Sequence, residues 1–372
     1  MIDTIDTPDI KVITGIRRSG KSKLLESFID YLSNHDSKAN IIHINLNLTD
    51  YENLTEYHAL NNYINSCWQK DKTNYVFIDE IQMCRGFEKA IISLHTSEKF
   101  NIYITGSNAF LLSSDLATLF TGRTFQIEVY PFSFAEFCQY FEPANIQKSF
   151  NDYVLIGGMS GCYPYKTEAS RINYLNEVYK TLILRDIVQK YKIRKTILIE
   201  KISDFMMDYI SNITSARNIA KTISNTDLQA NNATINNYLK YLCNAFAFYK
   251  IRKYDVKGKK YLTYHDKYYL CDHAFRYSFL GIRNMDYGRV IENIITMELL
   301  RRGYTIYAGY LYEKEIDFVA LKHSEKLYIQ VAENISNPET LKRELKPLKE
   351  IRDAYPKILL ARTLQPTYDV EG

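Results

Sequence analysis

Residues 15 to 22 run Gly-Ile-Arg-Arg-Ser-Gly-Lys-Ser, which sets Gly15, Gly20, Lys21 and Ser22 at the spacing G-x-x-x-x-G-K-S. That spacing does phosphate chemistry. Glycines let backbone N–H groups close around phosphate oxygens, the helix that follows presents its positive dipole end, Lys21 reaches the β- and γ-phosphates, and Ser22 ligates Mg²⁺. The expected contact stretch is Gly15, Ile16, Arg17, Arg18, Ser19, Gly20, Lys21, Ser22 and Lys23. Two acids close the apolar run YVFIDEIQ (75 to 82). A carboxylate in that position holds Mg²⁺ through water, the role expected of Asp79, and Glu80 beside it is placed to take a proton from the attacking water. Ser107 and Asn108 end a third apolar run and either read the γ-phosphate or cap the next helix. Arg123, in TGRTFQIEVYPFSF, either faces a nucleotide in cis, serves as an arginine finger on a neighbouring subunit, or is a plain surface arginine.

These groups need a scaffold that gathers them at one edge. KVIT (11 to 14) is a short β-branched run stopped by Gly15, and LLESFIDYL (24 to 32) carries apolar residues at helical spacing. YVFID and FNIYITGSN (100 to 108) are two further strands. In a parallel α/β sheet ligands collect at the carboxyl ends of the strands, which is where all of these residues fall. The expected fold class is α/β, beginning with a P-loop NTPase sheet over residues 1–145.

The motifs GIRRSGKS, VFIDEIQ, ITGSNAFLLS and LFTGRTFQIEVYPFSFAEF together resemble the prokaryotic AAA-type P-loop ATP-binding proteins that carry a C-terminal domain of unknown function. IGGM (156 to 159), LILRDIV (182 to 188), KYYLCD (267 to 272), IENIITMELLRRGY (291 to 304) and EIDFVA (315 to 320) extend the likeness across nearly the whole chain. The resemblance implies an ATP hydrolase with ATP and Mg²⁺ as cofactors. It also brings in a homo-oligomer with shared sites as one assembly to consider.

After a helical connector (146–195), ILIEKISDFMMDYI, SARNIAKTIS and ATINNYLKYLCNAF have helical periodicity, with Ser215 as an N-cap. Two strand-like runs joined by DVKGKK follow, so residues 196–284 are expected to form a winged helix-turn-helix, in the order that the resembling family shows. A winged helix suggests duplex DNA, but the third helix contributes only Lys240 as a cation; the basic charge lies in the hairpin, at Lys250, Arg252, Lys253, Lys257, Lys259 and Lys260. Residues 285–372 resemble the PD-D/E-x-K nuclease superfamily, a restriction-endonuclease-like α/β fold. Glu292 or Glu298 matches its helix acid and Asp317 its strand acid. In YIQVA the last acid and the lysine are replaced by Gln330 and Ala332, so the site is expected to be degenerate, with Glu333 or Glu315 as acids able to restore it.

At 372 residues the chain holds two or three domains, and 46% hydrophobic with 24% charged residues fits a folded protein. No apolar run is long enough to span a bilayer, and the acidic start MIDTIDTPDIK lacks a leader's basic-then-apolar pattern, so the expected location is cytoplasmic with no membrane partner. Six cysteines without a C-x-x-C pair are expected as buried free thiols. A net charge of +4 does not itself mark a nucleic-acid binder. The expected function is a Mg²⁺-dependent ATPase whose nucleotide cycle switches its C-terminal domains or a protein partner. The alternatives are a DNA-associated ATPase and, behind it, an ATP-gated nuclease.

Overall fold

The computed structural model describes residues 1–5, 7–106, 120, 122–223, 230–258, 260–281, 286–312, 314–363 and 366–370. The first five strands form one sheet whose central members, the apolar runs 10–14, 73–79 and 101–105, are buried almost throughout, as a sheet covered by helices requires, while the edge runs 39–45 and 124–128 are mostly half-buried or exposed. The five are β1 (Ile10–Thr14), β2 (Ala39–Asn45), β3 (Thr73–Asp79), β4 (Asn101–Thr105) and β5 (Thr124–Glu128), in the order β2-β3-β4-β1-β5. Every pairing in this sheet is parallel. Helix α1 (Lys21–His35) buries Leu25, Phe28 and Leu32 against Ile13, Tyr75, Phe77 and Tyr103 on one face. On the other face α2 (Tyr57–Ser66) and α3 (Phe87–Thr96) cover Val12, Ile44, Val76, Ile78 and Ile104. Each fully buried Leu, Ile or Phe contributes about 1.5–3 kcal/mol, which fixes the sheet and leaves its carboxyl edge free for chemistry.

The chain continues through α4 (Phe134–Phe141), started by a Ser133–Glu136 capping box, and α5 (Ile146–Ile156). Next, α6 (Glu168–Thr181) runs without a break into a π-helical turn, Leu182–Gln189. Then come α7 (Thr196–Asp208), α8 (Ala216–Ile223) and α9 (Asn232–Asn244), with Ser215 Oγ accepting from Asn218 N (3.3 Å) at the start of α8. Helices α6 to α9 and the π-helical turn share one apolar core, which also contains Ile16 of the glycine loop.

The hairpin β7 (Phe248–Asp255) and β8 (Lys260–Leu270) follows, and it does not stand alone. β7 pairs antiparallel with β8 on one side and parallel with β9 (Thr305–Leu311) on the other. With β6 (Ile213–Thr214), β10 (Lys314–Lys322), β11 (Glu325–Ala332) and β12 (Lys357–Ala361), they form a seven-stranded sheet ordered β12-β11-β10-β9-β7-β8-β6. Helices α10 (Ala274–Leu280), α11 (Tyr287–Arg301) and α12 (Pro338–Lys349) complete the chain. The cysteines are free thiols; Cys84, Cys162 and Cys271 are buried, whereas Cys67, Cys138 and Cys243 are only half-buried because their helices carry them at the rim of the core. Among the described residues no helix is long and apolar enough to cross a membrane.

Candidate active site

The carboxyl ends of β1, β3 and β4 bring the loop and the acids together. Gly15 follows β1 with φ +134°, and a Cβ there would stand 2.1 Å from the Val129 carbonyl oxygen, so only glycine fits this close approach. Gly20, with φ +100°, turns the loop into α1 and gives that helix no side-chain cap, which leaves first-turn N–H groups to a ligand. Ser19 Oγ is buried without a hydrogen-bond partner. Lys21 folds back along the loop, its Nζ donating to the carbonyls of Gly15 (2.9 Å) and Ile16 (3.0 Å). Burial holds its pKa down at about 8, against the opposing pull of Glu80, Asp186 and Asp79. An unfilled donor set, a glycine cradle and a desolvated lysine suit a polyphosphate.

β4 lies between the loop strand and the acid strand, and its last residue uses that position. Thr105 Oγ1 donates to Asp79 Oδ1 and accepts from Glu80 N (3.2 Å). Thr105 therefore fixes both acids. Asp79 is buried at 3% exposure, and Glu80 adopts left-handed backbone (φ +58°) in the turn that follows β3. Gln82 Nε2 donates to Glu80 Oε2 and orients that carboxylate.

A cleft of about 430 Å³ opens here. One wall is the loop, including Gly15, Arg17, Gly20, Lys21 and Ser22; the other is built by Ser160, Gly161, Arg185 and Asp186 from the middle of the chain, and Glu80 also lines the cleft. Arg17 Nη1 lies 3.6 Å from Asp186 Oδ1. Burial raises the Asp186 carboxyl above its usual range, opposed by Arg17. Thr105, Arg185 and Asp186 escape the motif search because nothing local in the sequence marks them; LILRDIV carries the last two only as an echo of a family.

Of the other expected residues, Ser107 and Asn108 lie outside the described residues. Arg123 is exposed where β5 begins, its carbonyl accepting from Ile10 N (2.8 Å). That is the amino edge of the sheet, opposite the loop, so the structure does not bring Arg123 into its own cleft. In the hairpin, Lys250, Arg252 and Lys257 are exposed, Lys250 pairing with Asp266 (2.7 Å) and Lys257 lying 4.5 Å over the Tyr312 ring, while half-buried Lys253 lies 3.4 Å over the Tyr310 ring; Lys259 and the side chain of Lys260 lie outside the described residues.

The C-terminal acids do meet. Lys267 Nζ contacts Glu292 (2.9 Å), Glu315 and Asp317 (3.9 Å), and Tyr269 OH donates to Glu292. Glu298 turns away to Arg302 (2.8 Å), so Glu292 is the helix acid beside Asp317. Gln330 Oε1 accepts from Asp317 N (3.3 Å), and its amide donates to Glu344 (3.0 Å). Burial and then Glu292 push Asp317 up to about 7. Lys267 is raised well above an ordinary lysine despite its burial, through Tyr269, Glu292, Glu315 and Asp317.

Residues 7–138 match the AAA domain family, and residues 147–286 match a domain of unknown function, DUF8612. An uncharacterized protein of Haemophilus influenzae is 35% identical over 378 residues, covering 100% of this chain and 94% of its own length. An uncharacterized protein of Methanocaldococcus jannaschii is 29% identical, covering 92% of this chain and 79% of its own. Among solved structures, a Walker-type ATPase of Pyrococcus abyssi superposes with a TM-score of 0.47 at 14% identity, covering 74% of this chain and 91% of that one. With a relative alike over 94% of its length, this chain belongs to the family of the Haemophilus influenzae protein, and its residues 7–138, which bring a glycine loop and an acid pair to one sheet edge, match the AAA domain.

Proposed function

We propose that this protein is a Mg²⁺-dependent ATP hydrolase whose nucleotide state is read by the middle of its own chain. The observation that carries this is the single cleft in which Gly15, Lys21 and Glu80 face Ser160, Gly161, Arg185 and Asp186. Bound ATP with Mg²⁺ supplies the γ-phosphoryl group and neutralises its charge. Gly15 to Lys23 would cradle the phosphates, with Lys21 released from the Gly15 and Ile16 carbonyls to pair with them. Ser22 and Asp79 are the residues to hold Mg²⁺, Asp79 being oriented by Thr105. A Glu80 carboxylate oxygen, steadied by Gln82, takes the proton of the attacking water.

In this reading the C-terminal half responds to the nucleotide. Residues 196–284 act as a winged-helix-like packing module and residues 285–372 as a nuclease-like shell, with Lys267 as the cation among its acids. The setting is the cytoplasm, and the downstream partner is a protein or a second copy, with Arg123 available to a neighbouring subunit's nucleotide. ATP binding measured with Mg²⁺ tests the site: Lys21→Ala should weaken it at least ten-fold, about 1.4 kcal/mol, and unchanged binding would remove the loop from its role.

A second reading rests on Arg252 and Lys257, which stay exposed on the hairpin. If they hold duplex phosphates, DNA should raise ATP turnover at low salt and lose that effect as salt rises. Turnover indifferent to DNA at both salt concentrations leaves the switch reading alone.

A further inference from the structure

Three features tie the loop to the middle of the chain. Ile16, 1% exposed, is packed in the core of the middle helices. Arg17 is paired at 3.6 Å with Asp186, side-chain exposures being 20% and 10%. Arg18 lies 5.3 Å over the Tyr174 ring of α6. Asp186 sits in the π-helical turn Leu182–Gln189, a geometry that a helix adopts rarely and often at functional positions. Leu182, Ile183 and Ile187 of the turn belong to the same apolar core as Ile16.

A carboxylate at this place has a physical consequence. Asp186 lines the phosphate cleft, and its charge is felt by Lys21. A triphosphate brings several negative charges to the same cations. Arg17 cannot serve both anions fully, and the more highly charged one takes it.

Resting on the nucleotide reading above, we propose that Asp186 is a positioning residue that holds Arg17 while the cleft is free and yields it to the triphosphate, so that nucleotide binding loosens the π-helical turn and reaches the middle helices. Asp186 stands in for phosphate on the loop's arginine. Arg185, exposed in the same wall, is the cation left to Asp186 once Arg17 has moved.

The test uses the full chain, Mg²⁺ and a non-hydrolysable ATP analogue, reading affinity and amide hydrogen exchange together. In the wild type the analogue should change exchange at residues 182–189 several-fold. Asp186→Asn, nearly isosteric, should bind the analogue about ten-fold tighter, having lost a competing charge, and its exchange at 182–189 should no longer respond. Asp186→Glu should keep the response. Should Asp186→Asn fail to fold, Arg17→Gln breaks the pair from the loop side and must abolish the same exchange response. Wild-type affinity with an intact response in Asp186→Asn, or a retained response in Arg17→Gln, overturns the proposal while leaving the ATPase reading standing. A wild type that neither binds nor hydrolyses ATP removes both.

Discussion

In the proposed role Lys21 would grip phosphate only while it is charged, and its surroundings make that conditional. Burial lowers its pKa from 10.5 to about 8. Because the folded value lies below the unfolded one, between about 8 and 10.5 the unfolded chain holds the extra proton, so this group makes stability rise with pH across that window. Nucleotide binding runs the other way, since phosphate favours the ammonium form. Affinity for ATP should hold from pH 7 to about 8 and fall about ten-fold by pH 9. Calorimetric titration over that range checks it, and a flat profile would show that Lys21 stays charged in the free protein. The placement of Gly15, Lys21, Asp79 and Glu80 at one sheet edge is legible in the sequence because each follows a strand in a strand-loop-helix or strand-turn setting. Thr105 is not. Its hydroxyl matters only because β4 is inserted between β1 and β3, an order that the sequence does not print.

Among the elements, the contact of β8, α11 and β10 shows the same limit. The last strand offers Gln330 and Ala332 where an acid and a lysine were needed, so the sequence predicts an incomplete site. A cation is nevertheless present, supplied by Lys267 of β8, four strands from β11 in the sheet order, and Glu315 joins the acids. Lys267 thereby staples three elements through one buried ammonium, 4% exposed. Removing it with Lys267→Met leaves Glu292 and Asp317 close together without a counter-charge, a loss of about 3–5 kcal/mol. Asp317 sets the pH dependence. Its folded pKa, about 7, is raised above its ordinary 3.8, so its contribution is fully present below 3.8 and is lost as pH rises through about 7. Lys267→Met should therefore be more destabilised at pH 8 than at pH 5, as urea unfolding at the two values would show. Equal losses would mean that Asp317 does not gain charge in that interval.

Across the whole molecule, the N-terminal sheet is bonded to the rest at several points besides the cleft. Glu128, at the end of β5, accepts from Tyr249 OH of β7 (2.5 Å), and Arg301 of α11 donates to the Pro131 carbonyl (2.5 Å) and to Glu136 (3.3 Å). Ile16 completes the set from inside the phosphate loop. The loop thus faces the cleft on one side and packed structure of the middle helices on another, the connection on which the proposed switch rests. The sequence shows the loop and the order of helices and strands. It does not show that the hairpin lies inside a larger sheet, because β7 meets β9 by tertiary pairing rather than by a turn. Everything downstream depends on whether the edge formed by Lys21, Asp79 and Glu80 hydrolyses ATP. The most direct measurement is steady-state ATP turnover with Mg²⁺ for the wild type and Glu80→Gln, with ATP affinity measured alongside. The expected result is a wild type that turns over and a Glu80→Gln variant that binds ATP with affinity close to wild type while its turnover falls about 10²–10⁴-fold. Turnover undiminished in Glu80→Gln would contradict Glu80 as the base, and a wild type inert toward ATP would contradict the ATPase itself.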